Sequence, residues 1–525
     1  VRIGIDVGGT NTDAVLMDGQ TVVASTKRPT TRPVEDGIIA AIKAVLADSG
    51  VDVAAIEAVM IGTTHFTNAF VEARGLLPVG ILRLASPSGE ALPPMVGWPK
   101  ALRQAVEGLT FLLPGGYEFD GRVISPFDEA KVRAAARQIH RAGFQAVAIT
   151  SVFAPINAAM EEQAAAIVRE ECPGVQITLS SSIGRIGFLE RENATIMNAS
   201  LGAMAREVVQ SFRDALREMR IAAPFYVSQN DGTLMSADYT ERLPILTFGS
   251  GPTNSLRGAA FLTGCRDAIV IDIGGTTSDI GVLINGFPRE SSVSVNIGGV
   301  RTNFRMPDVL SIGLGGGTRV HLDPALYQAD ALDDEALALG PDSVGYRLLS
   351  EAYLFGGQTL TVSDVAVSAG YAAFGDPARL PPLSGPVRDA VLKRIRHMLE
   401  DGIDRMKTAA GDVPVVVVGG GGFLLQEKPR GASALLRPEH ASVANAIGAA
   451  IGQVSGELDR VVSYAGGCRD QVLADIRQQV AGMAVAAGAA PSTVEVIDVE
   501  ELALNYLPGQ SVRVRARAVG DLRFS

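Results

Sequence analysis

Arg2-Ile-Gly-Ile-Asp6-Val-Gly-Gly-Thr-Asn-Thr-Asp13-Ala-Val-Leu-Met-Asp-Gly19 reads as a strand, a tight glycine turn and a returning strand that ends at Asp18-Gly19. The pattern occurs twice. Ile3-Gly-Ile-Asp-Val-Gly-Gly-Thr-Asn-Thr-Asp13 realigns with Ile269-Val-Ile-Asp-Ile-Gly-Gly-Thr-Thr-Ser-Asp279, and seven of the eleven positions are identical. One Asp-x-Gly-Gly-Thr can arise by chance. Two copies, each completed by an aspartate at the same offset, imply two related lobes that face each other.

The residue types in this hairpin suit a phosphate. Gly8, Gly9, Gly274 and Gly275 let the backbone approach an anion closely and aim N–H groups at it. The side chains of Thr10, Asn11, Thr12, Thr276 and Thr277 add polar groups. An aspartate repels phosphate and belongs instead on a divalent cation and its waters. Asp6 and Asp272 are therefore expected to hold Mg²⁺, directly or through water, with the phosphates of ATP between residues 6–13 and 272–279. Asp13 and Asp279, on the returning strands, are candidates for a base or for holding a metal-bound water. A third element, Val415-Val-Val-Val-Gly-Gly-Gly-Gly-Phe423, places Gly419, Gly420 and Gly421 after a buried strand. There the bare backbone can lie against the flat ring of adenosine. Gly315 and Gly316, in Gly313-Leu-Gly-Gly-Gly317, are added as close-packing or nucleotide-contact positions, and His65 as a cleft-facing base.

Working outward, the chain reads as an α/β protein. Helical spacing covers 34–49, 128–142, 158–171, 189–213 and 471–487, and buried strands are expected at 59–62, 146–152, 175–180, 225–228 and 413–418. Residues 86–126, rich in proline and glycine and holding the single tryptophan Trp98, read as an irregular insertion. Two lobes, each on a mixed five-stranded sheet, are expected at residues 1–180 and 181–451, with a small C-terminal unit at 452–525.

The 525 residues are too many for one core, and 47% are apolar. The formal net charge of −11 argues against nucleic acid and anionic membrane as partners, because an acidic surface repels both. Mean hydropathy is +0.22, yet no run of about 18 apolar residues is free of charge or glycine, so the excess reads as core. Cys172, Cys265 and Cys468 are scattered, odd in number and form no CxxC pair, which speaks against a disulfide framework or zinc site. With no secretory leader in the first residues, a cytoplasmic location is expected.

Further segments carry a resemblance. They are Gly62-Thr-Thr-His-Phe-Thr-Asn-Ala69, Ser151-Val-Phe-Ala-Pro-Ile-Asn157, Glu190-Arg-Glu-Asn-Ala-Thr-Ile-Met-Asn-Ala199, Ser228-Gln-Asn-Asp-Gly232, Gly249-Ser-Gly-Pro252, Pro307-Asp-Val-Leu-Ser-Ile-Gly-Leu-Gly-Gly-Gly317 and His440-Ala-Ser-Val-Ala-Asn-Ala-Ile-Gly448. With the two hairpins, residues 2–451 resemble the hydantoinase/oxoprolinase A-subunit family, within the acetate/sugar kinase–Hsp70–actin superfamily. The resemblance implies duplicated ribonuclease-H-like lobes of the actin-like ATPase fold. It also implies an ATP- and Mg²⁺-dependent hydrolase that phosphorylates the oxygen of a cyclic amide (a lactam or hydantoin) or related carbonyl before water attacks. A hydantoinase B-type partner subunit is implied, and oligomerisation is compatible with it. Leu310-Ser311 stands where the family usually has His-Thr, and Thr253-Asn254 where it has Ala-Gly. Two alternatives share parts of the pattern. One is a sugar-type small-molecule kinase; the other is an ATP-driven regulator or assembly factor.

Overall fold

The computed structural model describes all residues except 9–10, 31–33, 292–293, 465–468, 505–510 and 524–525. Gly9, Thr10 and Cys468 therefore lie outside the described residues.

The two glycine hairpins each start a sheet of the same topology. In the first, Arg2–Val7 pairs antiparallel with Asn11–Asp18 and parallel with Ala58–Thr63; Thr21–Pro29 adds outside the hairpin, and Phe225–Ser228 pairs parallel beyond Ala58–Thr63. In the second, Ala268–Ile273 pairs antiparallel with Ser278–Ile284 and parallel with Val413–Val418. Phe287–Pro288 lies outside the hairpin, and Ala432–Leu436 pairs parallel beyond Val413–Val418. Each lobe thus contains the expected mixed five-stranded core, and the duplication read from eleven residues extends to whole sheets.

The expected boundaries at 180 and 451 do not follow the sheets. Thr233–Ser236, Gln453–Ser463, Ser511–Gly520 and Glu495–Ala503 continue the first sheet to nine strands, so the C-terminal segment widens lobe one. Val309–Ile312 pairs with Ser278–Ile284 and brings the second sheet to six. Residues 79–179 form a third unit. Its four strands Glu107–Pro114, Val79–Ser86, Ala146–Ser151 and Gln176–Leu179 are all parallel. Helices Glu129–Arg141 and Ala159–Glu171 pack on it; Asp128 caps the first by accepting from the Lys131 amide.

Two sequence expectations need correction. Residues 86–126 are not wholly irregular, because Lys100–Val106 is helical and runs straight into the strand Glu107–Pro114. That strand lies at the sheet edge with a half-exposed pattern, so it lacks the apolar run of a buried strand. The helix expected over 189–213 is two helices, Phe188–Ser200 and Gly202–Glu218. They part where Gly202 lies so close to the Gln176 side chain that a Cβ would overlap it.

Two helices join the lobes. Ser250–Thr263 packs on the second sheet, where a Cβ on Gly281 would press on Leu256. Ala444–Ala450 packs on the first, where a Cβ on Gly4 would overlap the Ala446 carbonyl. The helices also meet each other through glycine. A side chain at Gly258 would strike the Ala444 carbonyl, and one at Gly448 the Asn254 carbonyl. This backbone-on-backbone crossing sets the hairpins face to face.

Candidate active site between the hairpins

The Gly8 amide donates to the Asn11 carbonyl at 3.0 Å, and Gly274 donates to Thr277 at 2.9 Å, so the described part of the first turn closes as the second does. Both turns border one cleft of about 570 Å³. Gly8, Asn11 and Asp13 come from the first hairpin; Asp272 and Gly274–Thr277 come from the second; Gly419–Gly421 closes a third side. Gly316 lines the cleft as well. Gly315 sits behind it, with a Cβ position only 2.7 Å from the Gly275 and Thr276 backbone.

In each hairpin the two aspartates are direct cross-strand partners, Asp6 with Asp13 and Asp272 with Asp279. Only one of each pair reaches the wall: Asp13 in the first lobe and Asp272 in the second. The symmetry expected from sequence is broken here. Asp6 is buried and, unlike Asp13, is not among the residues that line the cleft. It accepts from Asn254 Nδ2 at 3.3 Å and Asn445 Nδ2 at 3.0 Å, and Asn445 also donates to Asp13 at 2.9 Å. Burial, with Asp13 adding repulsion, pushes the Asp6 carboxyl up to about 6. Desolvation likewise raises Asp272 against a hydrogen bond from the Ser255 hydroxyl. Asp279 is pushed up to about 6 by desolvation, against a hydrogen bond from Ser311. Thr12 is buried and packs against Thr30, with the Oγ1 atoms 3.3 Å apart.

One residue of each pair that departs from the family pattern is thus in contact with an aspartate. Asn254 binds Asp6 and Ser311 binds Asp279. Adjacent residues of one helix, Asn254 and Ser255, reach one hairpin each.

His65 does not line the cleft. It opens the helix His65–Val71, half-buried, with its ring edge-on to Phe66 at 6.2 Å, while its neighbours Thr64 and Asn68 do line it. Leu348, Phe374 and Phe423 also line the cleft, with Phe374 and Phe423 centroids 5.4 Å apart. Sequence reasoning missed Lys27, Asn445, Ser255, Ser363 and Phe374. Strand register brings in Lys27 and the two crossing helices bring in Ser255 and Asn445, while Ser363 comes from the helix Val362–Ser368 and Phe374 from a loop.

Among the described residues no cluster of three or more His, Cys, Asp or Glu side chains makes a ready metal cage, and no helix is long and apolar enough to cross a membrane. Cys172 and Cys265 are free thiols.

The family description "Hydantoinase/oxoprolinase N-terminal region" matches residues 2–172, and "Hydantoinase/oxoprolinase" matches residues 191–376. Caprolactamase subunit alpha of Pseudomonas jessenii is 27% identical over 442 residues, covering 79% of this chain and 61% of that protein. The acetophenone carboxylase gamma subunit of Aromatoleum aromaticum is 26% identical over 446 residues, covering 78% and 58%. The chain thus spans about three fifths of the length of these curated relatives. The crystal structure of ATP-dependent caprolactamase from Pseudomonas jessenii superposes with a TM-score of 0.78 at 22% identity, over 100% of this chain and 88% of that one, which establishes a common fold. With both family descriptions matched and that fold shared, the chain belongs to the hydantoinase/oxoprolinase family.

Proposed function

We propose that this chain is the ATP-using component of a hydrolase that opens the C–N bond of a cyclic amide, working with a B-type partner subunit. The observation that carries the reading is the single cleft bordered by both glycine turns, by one carboxylate from each lobe and by Gly419–Gly421.

The residues fit Mg·ATP. Bare glycine backbone and the Thr276 and Thr277 hydroxyls suit phosphate oxygens. Asp13 and Asp272 on the wall would hold the cation, with Asp6 behind them acting through the shared Asn445 amide. That carboxylates here are pushed toward protonation is what a site completed by a cation predicts, since the cation restores the charged form. Leu348, Phe374 and Phe423 offer an apolar, aromatic end for a purine. When bound, the nucleotide supplies a phosphoryl group whose transfer to a carbonyl oxygen makes its carbon electrophilic. Thr64 and Asn68, on the wall contributed by lobe one, are the polar groups we assign to orienting that substrate. Asp279 and His65 lie off the wall and are given no contact with the reacting atoms.

The test is ATP hydrolysis against a panel of lactams, hydantoins and cyclic ureas, with and without a B-type subunit. ADP, phosphate and an opened ring are expected. A stable phosphorylated product would make it a kinase. Turnover stimulated only by a protein, without small substrate, would make it a regulator. A carboxylated ketone would place it with the carboxylase relatives.

A further inference from the structure

Lys27 stands on the third strand, in register opposite Asp13, with its ammonium 2.6 Å from the Asp13 carboxylate. Its side chain is 34% exposed, against 4% for Asp13, and it lines the cleft. Among the described residues it is the only lysine or arginine that does so. Its charge is also felt across the cleft, where it opposes the rise in the Asp272 carboxyl. A counter-ion needed only to neutralise a buried carboxylate has no reason to stay open to the cavity. This one does, on a flexible stem beside the turn that Gly8 and Asn11 form.

Resting on the nucleotide reading above, we propose that Lys27 is the residue that binds the outer phosphates, its ammonium shared between Asp13 and the phosphate chain. Charge balance requires such a group. The wall carries two carboxylates, and Asp6 shares the Asn445 amide with one of them. A polyphosphate entering that field meets like charge on both sides. Glycine amides soften this with partial charges only, whereas an ammonium with three donors can keep one on Asp13 and turn others to phosphate oxygens. Lys27 is thus the fixed cation of a site whose other positive charge must be brought in from solution.

The test is calorimetric affinity of the full chain for Mg·ATP, Mg·ADP and AMP, with thermal midpoints of the nucleotide-free proteins. Lys27→Gln is expected to weaken Mg·ATP about tenfold to a hundredfold, the range for a lost charge-assisted hydrogen bond. The loss should be smaller for Mg·ADP and absent for AMP, while the nucleotide-free midpoint falls because Asp13 loses its counter-ion. Equal loss for all three ligands, or unchanged Mg·ATP affinity, would overturn the assignment. Lys27→Met keeps the aliphatic stem and serves the same comparison if the glutamine variant does not fold. Failure of both to fold would make Lys27 a structural counter-ion of Asp13 and also overturn it. If wild type binds no nucleotide, the ATP-using reading itself falls; if wild type binds and the Lys27 variants match it, only this inference falls.

Discussion

Replacing Asp6 with asparagine removes a carboxylate from a place where burial opposes its charge. The carboxyl titrates near 6 in the folded chain against 3.8 as its reference, mainly through desolvation and then repulsion from Asp13. A raised acid favours the folded state fully below its unfolded value, and that advantage is lost as pH rises through the folded value. At about 1.4 kcal/mol per unit, the ionised Asp6 costs the fold about 3 kcal/mol above pH 6, and little below pH 4. Asparagine keeps one acceptor for Asn254 or Asn445 and sets an amide against the other, which returns about 1 kcal/mol of the gain. Asp6→Asn should therefore be more stable than wild type by about 2 kcal/mol at pH 8, and nearly equal to it at about pH 4.5. Thermal midpoints of both proteins across that range read the difference. Mg·ATP should raise the wild-type midpoint and raise the variant's by less, since Asp6 acts on the cation site through Asn445. A variant less stable than wild type at pH 8, a difference that does not vary with pH, or full stabilisation by Mg·ATP would each refute the reasoning.

Gly448→Ala should lower stability by about 1–3 kcal/mol, because its methyl overlaps the Asn254 carbonyl where the two joining helices cross. Nucleotide affinity, measured by calorimetry, should fall with it, since Asn254 is displaced from Asp6. Phe423→Ala and Phe374→Ala should each raise the KM for ATP about tenfold with little change in kcat, as expected for lost ring packing on a purine. Glu290 lies near Arg185, Arg305, Arg515 and Arg517, at 3.3, 3.4, 2.7 and 3.5 Å. Burial alone would raise its carboxyl, and the arginines together hold it at about 2. The pairing contributes about 3 kcal/mol above pH 4.5 and is lost as pH falls toward 2. Glu290→Gln should therefore unfold at lower urea concentration at pH 7 and show a flatter acid limb.

The hairpins were legible because their chemistry is local. Asp-x-Gly-Gly-Thr states its turn within five residues, and its second copy announces the second lobe. Gly419–Gly421 was legible for the same reason. Lys27 was not, since nothing in Ser25-Thr-Lys-Arg-Pro29 marks it until strand register sets it opposite Asp13. Asn254 and Asn445 depend on where two helices cross, a distance the sequence does not print. The sequence pattern gives Asp6 and Asp272 matching roles, yet in the first lobe it is Asp13 that lines the cleft, while Asp6 is hydrogen-bonded to Asn254 and Asn445 on the two joining helices. The C-terminal strands read as a separate unit because their partner, Thr233–Ser236, lies more than two hundred residues earlier.

The first sheet gathers strands from residues 2–63, 225–236 and 453–520. On the ribosome, residues 79–179 can close their parallel sheet early, since every strand of it comes from one continuous stretch. The hairpin at the start of the chain must meanwhile wait for Ala444–Ala450 to cover Gly4 and for the later strands to complete its sheet, roughly tens of seconds at ordinary elongation rates. During that interval its valines and isoleucines are open to chaperones and to other nascent chains.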